Sequence, residues 1–227
     1  MSPVNSDLAL RMAELARNIA RPRTADHILK DVAAAAVELI PGVHTAGILL
    51  IKGRGQFESI GTTSDIPHEL DELQMRFGEG PCLQAALEEV VVRTDDFRDE
   101  QRWPKYSPAV VELGILSGLS FKLFTGDRTA GALNLFGYEA VTWGVDAETT
   151  GAVLAAHAAA ALVAHRQEVE LQTALLTRDR IGQAKGVIME RYNIDDVQAF
   201  EMLRRLSQES NTKLTDLTDR VIATIGT

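Results

Sequence analysis

The chain has 227 residues, 45% of them hydrophobic, enough for one large domain or two modest ones with a real core. A formal charge of −9 excludes wholesale coating of nucleic acid, which needs cations facing the phosphates, but leaves room for a local basic patch. Cys82 is the one cysteine, which excludes an internal disulfide and every multi-cysteine metal site, and five histidines without close ligand spacing give no reason to expect a metal.

No cationic segment followed by an apolar run opens the sequence. No later stretch offers about 20 uncharged apolar residues, "GAVLAAHAAAALVAH" being short and Ala-rich, so a cytoplasmic protein without a membrane anchor is expected. Residues 6–20 place Leu8, Met12, Leu15 and Ile19 at helical spacing, with Asn5 or Ser6 as cap. After "RPRT", Thr24 caps a second helix that Pro41-Gly42 stops.

Five short β-like runs follow: "TAGILLI" at 45–51, "FESIGTT" at 57–63, "EVVVRT" at 89–94, "SGLSFKLF" at 117–124 and "AGALNLFGY" at 130–138. Gly126-Asp127 between the last two is a hairpin signal, and "PHELDELQMRF" and "QRWPKYSPAVVEL" read as helical or loop insertions on the sheet. Helices before and after an antiparallel sheet predict an α+β domain.

From Asp146 to about Met189 there is no proline, which predicts one long helix or two with a slight break. Val153, His157, Ala160, Ala164, Leu171 and Ala174 follow alternating three- and four-residue steps, with Gln167 as the polar exception. This stripe is either a coiled-coil seam for a homodimer or the face that packs on the chain's own sheet. Asp195 and Gln198 have capping-box spacing and open a helix whose Val197, Phe200, Leu203 and Leu206 are expected to face inward. "ESNT" closes it, and Asn211 or Thr212 caps a third helix carrying Leu214, Leu217, Val221 and Ile225.

The expected division is an N-terminal helix at 1–24, a sheet domain at 25–165 and a three-helix unit at 166–227. Residues 1–165 hold 14 cations and 22 anions, and residues 166–227 hold 9 and 10, so the acidity lies ahead of the tail.

"RDRIGQAKGVIME" at 178–190 carries the sharpest signal. Gly182 and Gly186 interrupt a helix at a cost of roughly 1 kcal/mol each. On a helical wheel Ile181, Ala184, Val187 and Ile188 gather on one side and Arg178, Gly182, Lys185 and Met189 on another, with Gly186 at its border. Bare backbone between two cations lets a nucleic-acid strand approach while Arg178 and Lys185 bind its phosphates. The same glycine spacing also lets two helices pack closely, and the wheel does not decide between them. Arg180, Arg191, Arg204, Arg205 and Lys213 add basic residues interleaved with acidic ones. Tyr192 either stacks on a base or covers the helix junction.

Residues 176–224, with Arg178, Ile181, Ala184, Lys185, Gly186 and Met189, then Ala199, Phe200, Leu203, Arg204 and Ser207, and Leu214, closely resemble the ANTAR domain, a bacterial RNA-binding module of transcription antiterminators. Residues 25–165, with "GEGPC" at 78–82 and "TDDFRDEQRWPKY" at 94–106, more loosely resemble a GAF domain. The resemblance implies a five- or six-stranded antiparallel sheet sensor, flanked by helices and often dimeric through them, ahead of a three-helix bundle. It implies a dual stem-loop RNA as partner and an RNA-contact set of Arg178, Arg180, Gly182, Gln183, Ala184, Lys185, Gly186, Arg191, Tyr192, Arg204 and Arg205. The Asn-Lys to Phe-x-x-x-Asp-Glu nucleotide signature of phosphodiesterase-type GAF domains is not evident, so no cyclic nucleotide is inferred. The sequence requires no cofactor and leaves the identity of any small ligand of the GAF-like domain open.

Pro81 suits the first position of a helix "CLQAALEEV", with Gly78 and Gly80 supplying unusual backbone angles ahead of it. Cys82 at that helix start is either a redox-sensing thiol with a lowered pKa or a small packed residue. Two other classes fit the sequence less well. A sulfoxide-reductase-like enzyme needs several cysteines to form and resolve a disulfide, and one is present. A DNA-binding helix-turn-helix is disfavoured because "QESNT" lacks the usual glycine and "LTDLTDRVIAT" carries one cation, Arg220.

Overall fold

The computed structural model describes residues 24–52, 56–87, 89–125 and 128–224, together with positions 10, 13 and 17. Apart from those isolated positions the expected helix at 6–20 lies outside the described residues, as does the Gly126-Asp127 hairpin tip. The chain divides into two compact units, Met1–His165 and Arg166–Thr227.

In the first unit, α1 (Ala25–Leu39) precedes β1 (Thr45–Lys52) and β2 (Gln56–Ile60), and α2 (Ile66–Phe77) and α3 (Pro81–Leu87) precede β3 (Val91–Thr94). Then come α4 (Tyr106–Glu112), β4 (Ser117–Thr125), β5 (Arg128–Gly137) and the start of α5 (Val145–Tyr192). The five strands, all paired antiparallel, form one sheet in the order β2-β1-β5-β4-β3. Each β-like run of the sequence is a strand, because alternation sends successive side chains to opposite faces.

That alternation builds two cores. Ile48, Leu119, Phe121, Leu133 and Leu135 face α1 and the first turns of α5, where Leu154, Ala155, Ala158 and Ala159 pack. Leu49, Ala132 and Phe136 face the other way, against Leu70 of α2, Cys82 and Ala85 of α3, and Tyr106 and Val110 of α4. The Ala-rich start of α5 sits close to the sheet: a Cβ added at Gly151 would stand 2.2 Å from the Phe121 ring. An 18-residue window of α5 has the mean hydropathy of a membrane span, 1.3, and a third of it is buried. Its buried alanines, Ala155, Ala158 and Ala159, pack on the sheet.

The "GEGPC" turn is built as the sequence suggests. Gly78 and Gly80 adopt φ of 69° and 144°, and Pro81 is the first residue of α3. Its Glu79 caps α4 by accepting from the Tyr106 backbone N–H at 2.9 Å. In "TDDFRDEQRWPKY", Arg98 pairs with Asp96 and Arg102 with Glu100, both at 2.6 Å, while Phe97 and Trp103 are buried. Both motifs hold the sheet's edge loops.

In the second unit the end of α5 is followed by α6 (Asp196–Glu209) and α7 (Leu214–Ala223). α5 and α6 end alike. Asn193 and Asn211 take left-handed φ of 52° and 49°, and the next residues, Ile194 and Thr212, donate backbone bonds to Met189 at 3.3 Å and Ser207 at 3.1 Å. Asp195 and Gln198 then form both halves of the capping box. The N-cap of α7 is Lys213, with no side-chain cap bond. Asn211 does not cap it, being occupied in terminating α6.

Candidate nucleic-acid interface

The second unit closes around Ala184 and Ile188 of α5 and Ala199 and Leu203 of α6, with Leu214, Leu217, Val221 and Ile222 of α7 against them. The expected inward face of α6 is therefore corrected. Leu203 is buried, but Val197 is 70% exposed, Phe200 37% and Leu206 41%. Ala199 takes the core position, in one buried cluster with the equally small Ala184. Ala184, placed among the RNA-contact residues by the sequence, is fully buried and leaves that set; its role is packing.

The remaining face of α5 carries the open strip. Gly182 and Gly186 are exposed, and a Cβ added at either would meet nothing within 4 Å. Within the described residues these glycines pack against no other helix. Beside them lies a groove of about 630 Å³, lined by Ala174, Thr177, Arg178, Ile181 and Lys185 of α5 and Asp196, Val197 and Phe200 of α6. Arg178 and Lys185 thus share one groove wall, as a seven-residue spacing on a helix demands.

The cations differ in availability. Arg178 is exposed. Lys185 is only 20% exposed at its side chain and is ion-paired with Asp196, which is 66% exposed. Arg180 pairs with Asp219 of α7, and Arg204 lies 3.8 Å from Glu201 on its own helix. Gln183, Arg191, Tyr192 and Arg205 are exposed. Such surface pairs stabilise by about 0–1 kcal/mol, little enough for a phosphate to compete. Sequence reasoning missed Val197 and Phe200 as groove walls and Asp196 as the counter-charge of Lys185.

Of the two readings of Cys82, the burial of its side chain favours the small packed residue over the redox-sensing thiol. Cys82 is 1% exposed, and burial together with the nearby Asp71 carboxyl pushes its thiol above the ordinary range, which disfavours the thiolate. The helix-start position does not rescue it, because the Cys82 N–H is already satisfied by Gln74 Oε1 at 2.8 Å.

A sheet covered on both faces followed by a small helical unit defines a two-module protein of α+β class with a helical tail. Family models resolve the modules: the GAF domain matches residues 22–163 and the ANTAR domain residues 169–222. The chain belongs to the GAF domain family and carries an ANTAR domain at its C-terminal side. Among solved structures, the GAF domain of a phosphoenolpyruvate-protein phosphotransferase (ptsP) from Coxiella burnetii is similar at 17% identity and a TM-score of 0.62, over 74% of this chain and 99% of that one. The equivalent Acinetobacter domain gives 17% and 0.54 over 74% and 98%. A free methionine-R-sulfoxide reductase from Neisseria meningitidis gives 18% and 0.52 over 71% and 93%. At these identities the likeness is one of fold. No curated protein gave a significant match. A GAF module with an ANTAR module is the domain content of a signal-regulated, RNA-binding regulator of antiterminator type.

Proposed function

We propose that the protein is a cytoplasmic, signal-responsive transcription antiterminator that binds dual-hairpin RNA through residues 166–227 under control of the GAF unit. The observation that carries this reading is the pair of open glycines beside Arg178 and Lys185 in the ANTAR-matched segment. Arg178 and Lys185 bind backbone phosphates, Gly182 and Gly186 let looped nucleotides close on the helix, and the half-open Phe200 ring and Tyr192 offer stacking surfaces. Arg191 and Arg205 add charge at the margins. Binding one RNA fold and not its competitor shifts their balance by the difference in affinity, with no chemical step.

The stripe on α5 supports a dimer in this scheme. Ala160, Ala164, Gln167, Leu171 and Ala174 are exposed, and the sheet is packed by a different set, Leu154, Ala155, Ala158 and Ala159. Two ANTAR units held by that seam engage two hairpins, the second at raised effective concentration. The test is a gel shift of the full chain with dual-hairpin RNA, run with Arg178→Ala. Loss of binding with an unchanged fold supports the assignment; undiminished binding removes the cationic strip from the mechanism. A sulfoxide-reductase assay on the same preparation is expected to show no turnover, since Cys82 is alone and enclosed.

A further inference from the structure

The GAF unit contains polar groups that neither core nor RNA reading uses. Asp71 on α2 is 3% exposed. Its Oδ1 accepts long hydrogen bonds, 3.4 Å each, from Gln74 Nε2 and Asn134 Nδ2, and Asn134 is itself fixed by the Ser120 hydroxyl at 2.8 Å. The Ser59 hydroxyl of β2 lies near enough to pull on the Asp71 carboxyl, but neither Asp71 Oδ2 nor the buried Ser59 Oγ makes a hydrogen bond of good geometry to any group. Both residues line one groove of about 400 Å³ whose apolar walls include Leu49, Phe57 and Met75.

A buried carboxyl oxygen and a buried hydroxyl without well-formed hydrogen bonds are rare and call for an explanation, because each loses its hydration without full recompense. A ligand that supplies donors to both and a positive charge to the carboxylate removes the deficit. Two carboxyl groups, Asp71 and Glu72, line the groove beside His68 and Arg76, and the poorly bonded atoms are oxygens, so the groove calls for donors rather than for an anion. The apolar walls fit a short hydrocarbon body, and the volume suits a small molecule. Met75, unbranched and 41% exposed, is the wall best able to turn aside.

We propose that this groove binds a small organic cation, an ammonium group on a short apolar body, with the ammonium donating to Asp71 Oδ2 and Ser59 Oγ. As the input to the RNA-binding unit the site rests on the sensory reading above; the binding itself does not. His68, Glu72 and Arg76 of α2 share the groove, and Cys82 of α3, Tyr106 of α4 and the neutral Asn134 of β5 surround the carboxyl. Burial raises the Asp71 carboxyl to about 7, against the opposing pull of Ser59, His68 and Asn134. Binding holds it ionised and releases its proton, so affinity falls as pH drops below that value.

The experiment titrates the full chain, without RNA, with n-butylammonium chloride and with 1-butanol as its neutral counterpart, following heat and melting temperature at pH 8 and pH 5.5. The ammonium is expected to bind and raise the melting temperature, butanol not to, with roughly tenfold weaker ammonium binding per pH unit below about 7. Asp71→Asn is expected to abolish ammonium binding, and Met75→Trp, which fills the groove and keeps the carboxyl, to block it independently of how well Asp71→Asn folds. Equal binding of butanol, retention in both variants, or no ammonium binding at either pH overturns the proposal. RNA binding is measured separately, so a failure there leaves this result standing.

Discussion

Lys185 is held by Asp196 at the groove wall, so the two residues set the charge an approaching phosphate meets. Asp196→Asn removes the competitor and is expected to tighten RNA binding by up to about fivefold, the scale of a surface pair, whereas Lys185→Ala weakens it. Gel-shift affinities at fixed salt check both signs. Gly182 makes a sharper case: no atom lies within 4 Å of a Cβ built there, so Gly182→Ala is expected to stabilise the fold by about 1 kcal/mol in a denaturant melt. Gly182→Leu keeps most of that gain and loses RNA binding; destabilisation by either would restore helix packing as the glycine's role. At Asp71 the folded carboxyl sits near 7 against an ordinary 3.8, so the native state holds a proton the unfolded chain has released. Stability contributed by this group is present below about pH 4 and declines as pH rises towards 7, by about 4 kcal/mol at most. Urea melts of wild type against Asp71→Asn across that window are expected to diverge with rising pH, the wild type losing ground.

At the scale of elements, the strands and most helices were legible because burial on a pleated sheet writes period two and helix ends write Pro, Gly, Asn and Asp. The inward face of α6 was not. Val197, Phe200, Leu203 and Leu206 advance in steps of three, which drift by about 60° each, so the first and last stand on opposite sides of the helix. Burial followed the smaller Ala199 instead, which shares a core cluster with Ala184, and two small side chains let helices approach closely. The candidate site was half legible for the same reason: spacing along one helix placed Arg178 beside Lys185, but the Lys185–Asp196 pair joins two helices, and one acidic residue in an amphipathic helix gave no sign that Asp71 is enclosed. Phe200, left at the groove, is expected on replacement by alanine to weaken RNA binding by about 1–3 kcal/mol, the value of one stacked base, with little change in melting temperature. Leu171→Glu in α5 should leave the fold intact and shift sedimentation from dimer to monomer, since Leu171 is 62% exposed.

For the whole molecule, the boundary between units falls at His165 and Arg166, inside α5, so one helix belongs to both. On this account a ligand that changes how α5 pairs between two chains alters the binding of two hairpins at once, and neither unit needs catalytic chemistry. The net charge of −9 is compatible with RNA binding only if the contact is local, which the strip from Arg178 to Gly186 provides. The most direct measurement is a competition gel shift of the full chain with a dual-hairpin RNA against a single hairpin of the same loop sequence and a duplex DNA of equal length, with sedimentation on the same samples. The account predicts preference for the dual hairpin, a 2:1 protein-to-RNA complex, and loss of that preference in Arg178→Ala; equal affinity for all three ligands, unchanged by that substitution, would contradict it.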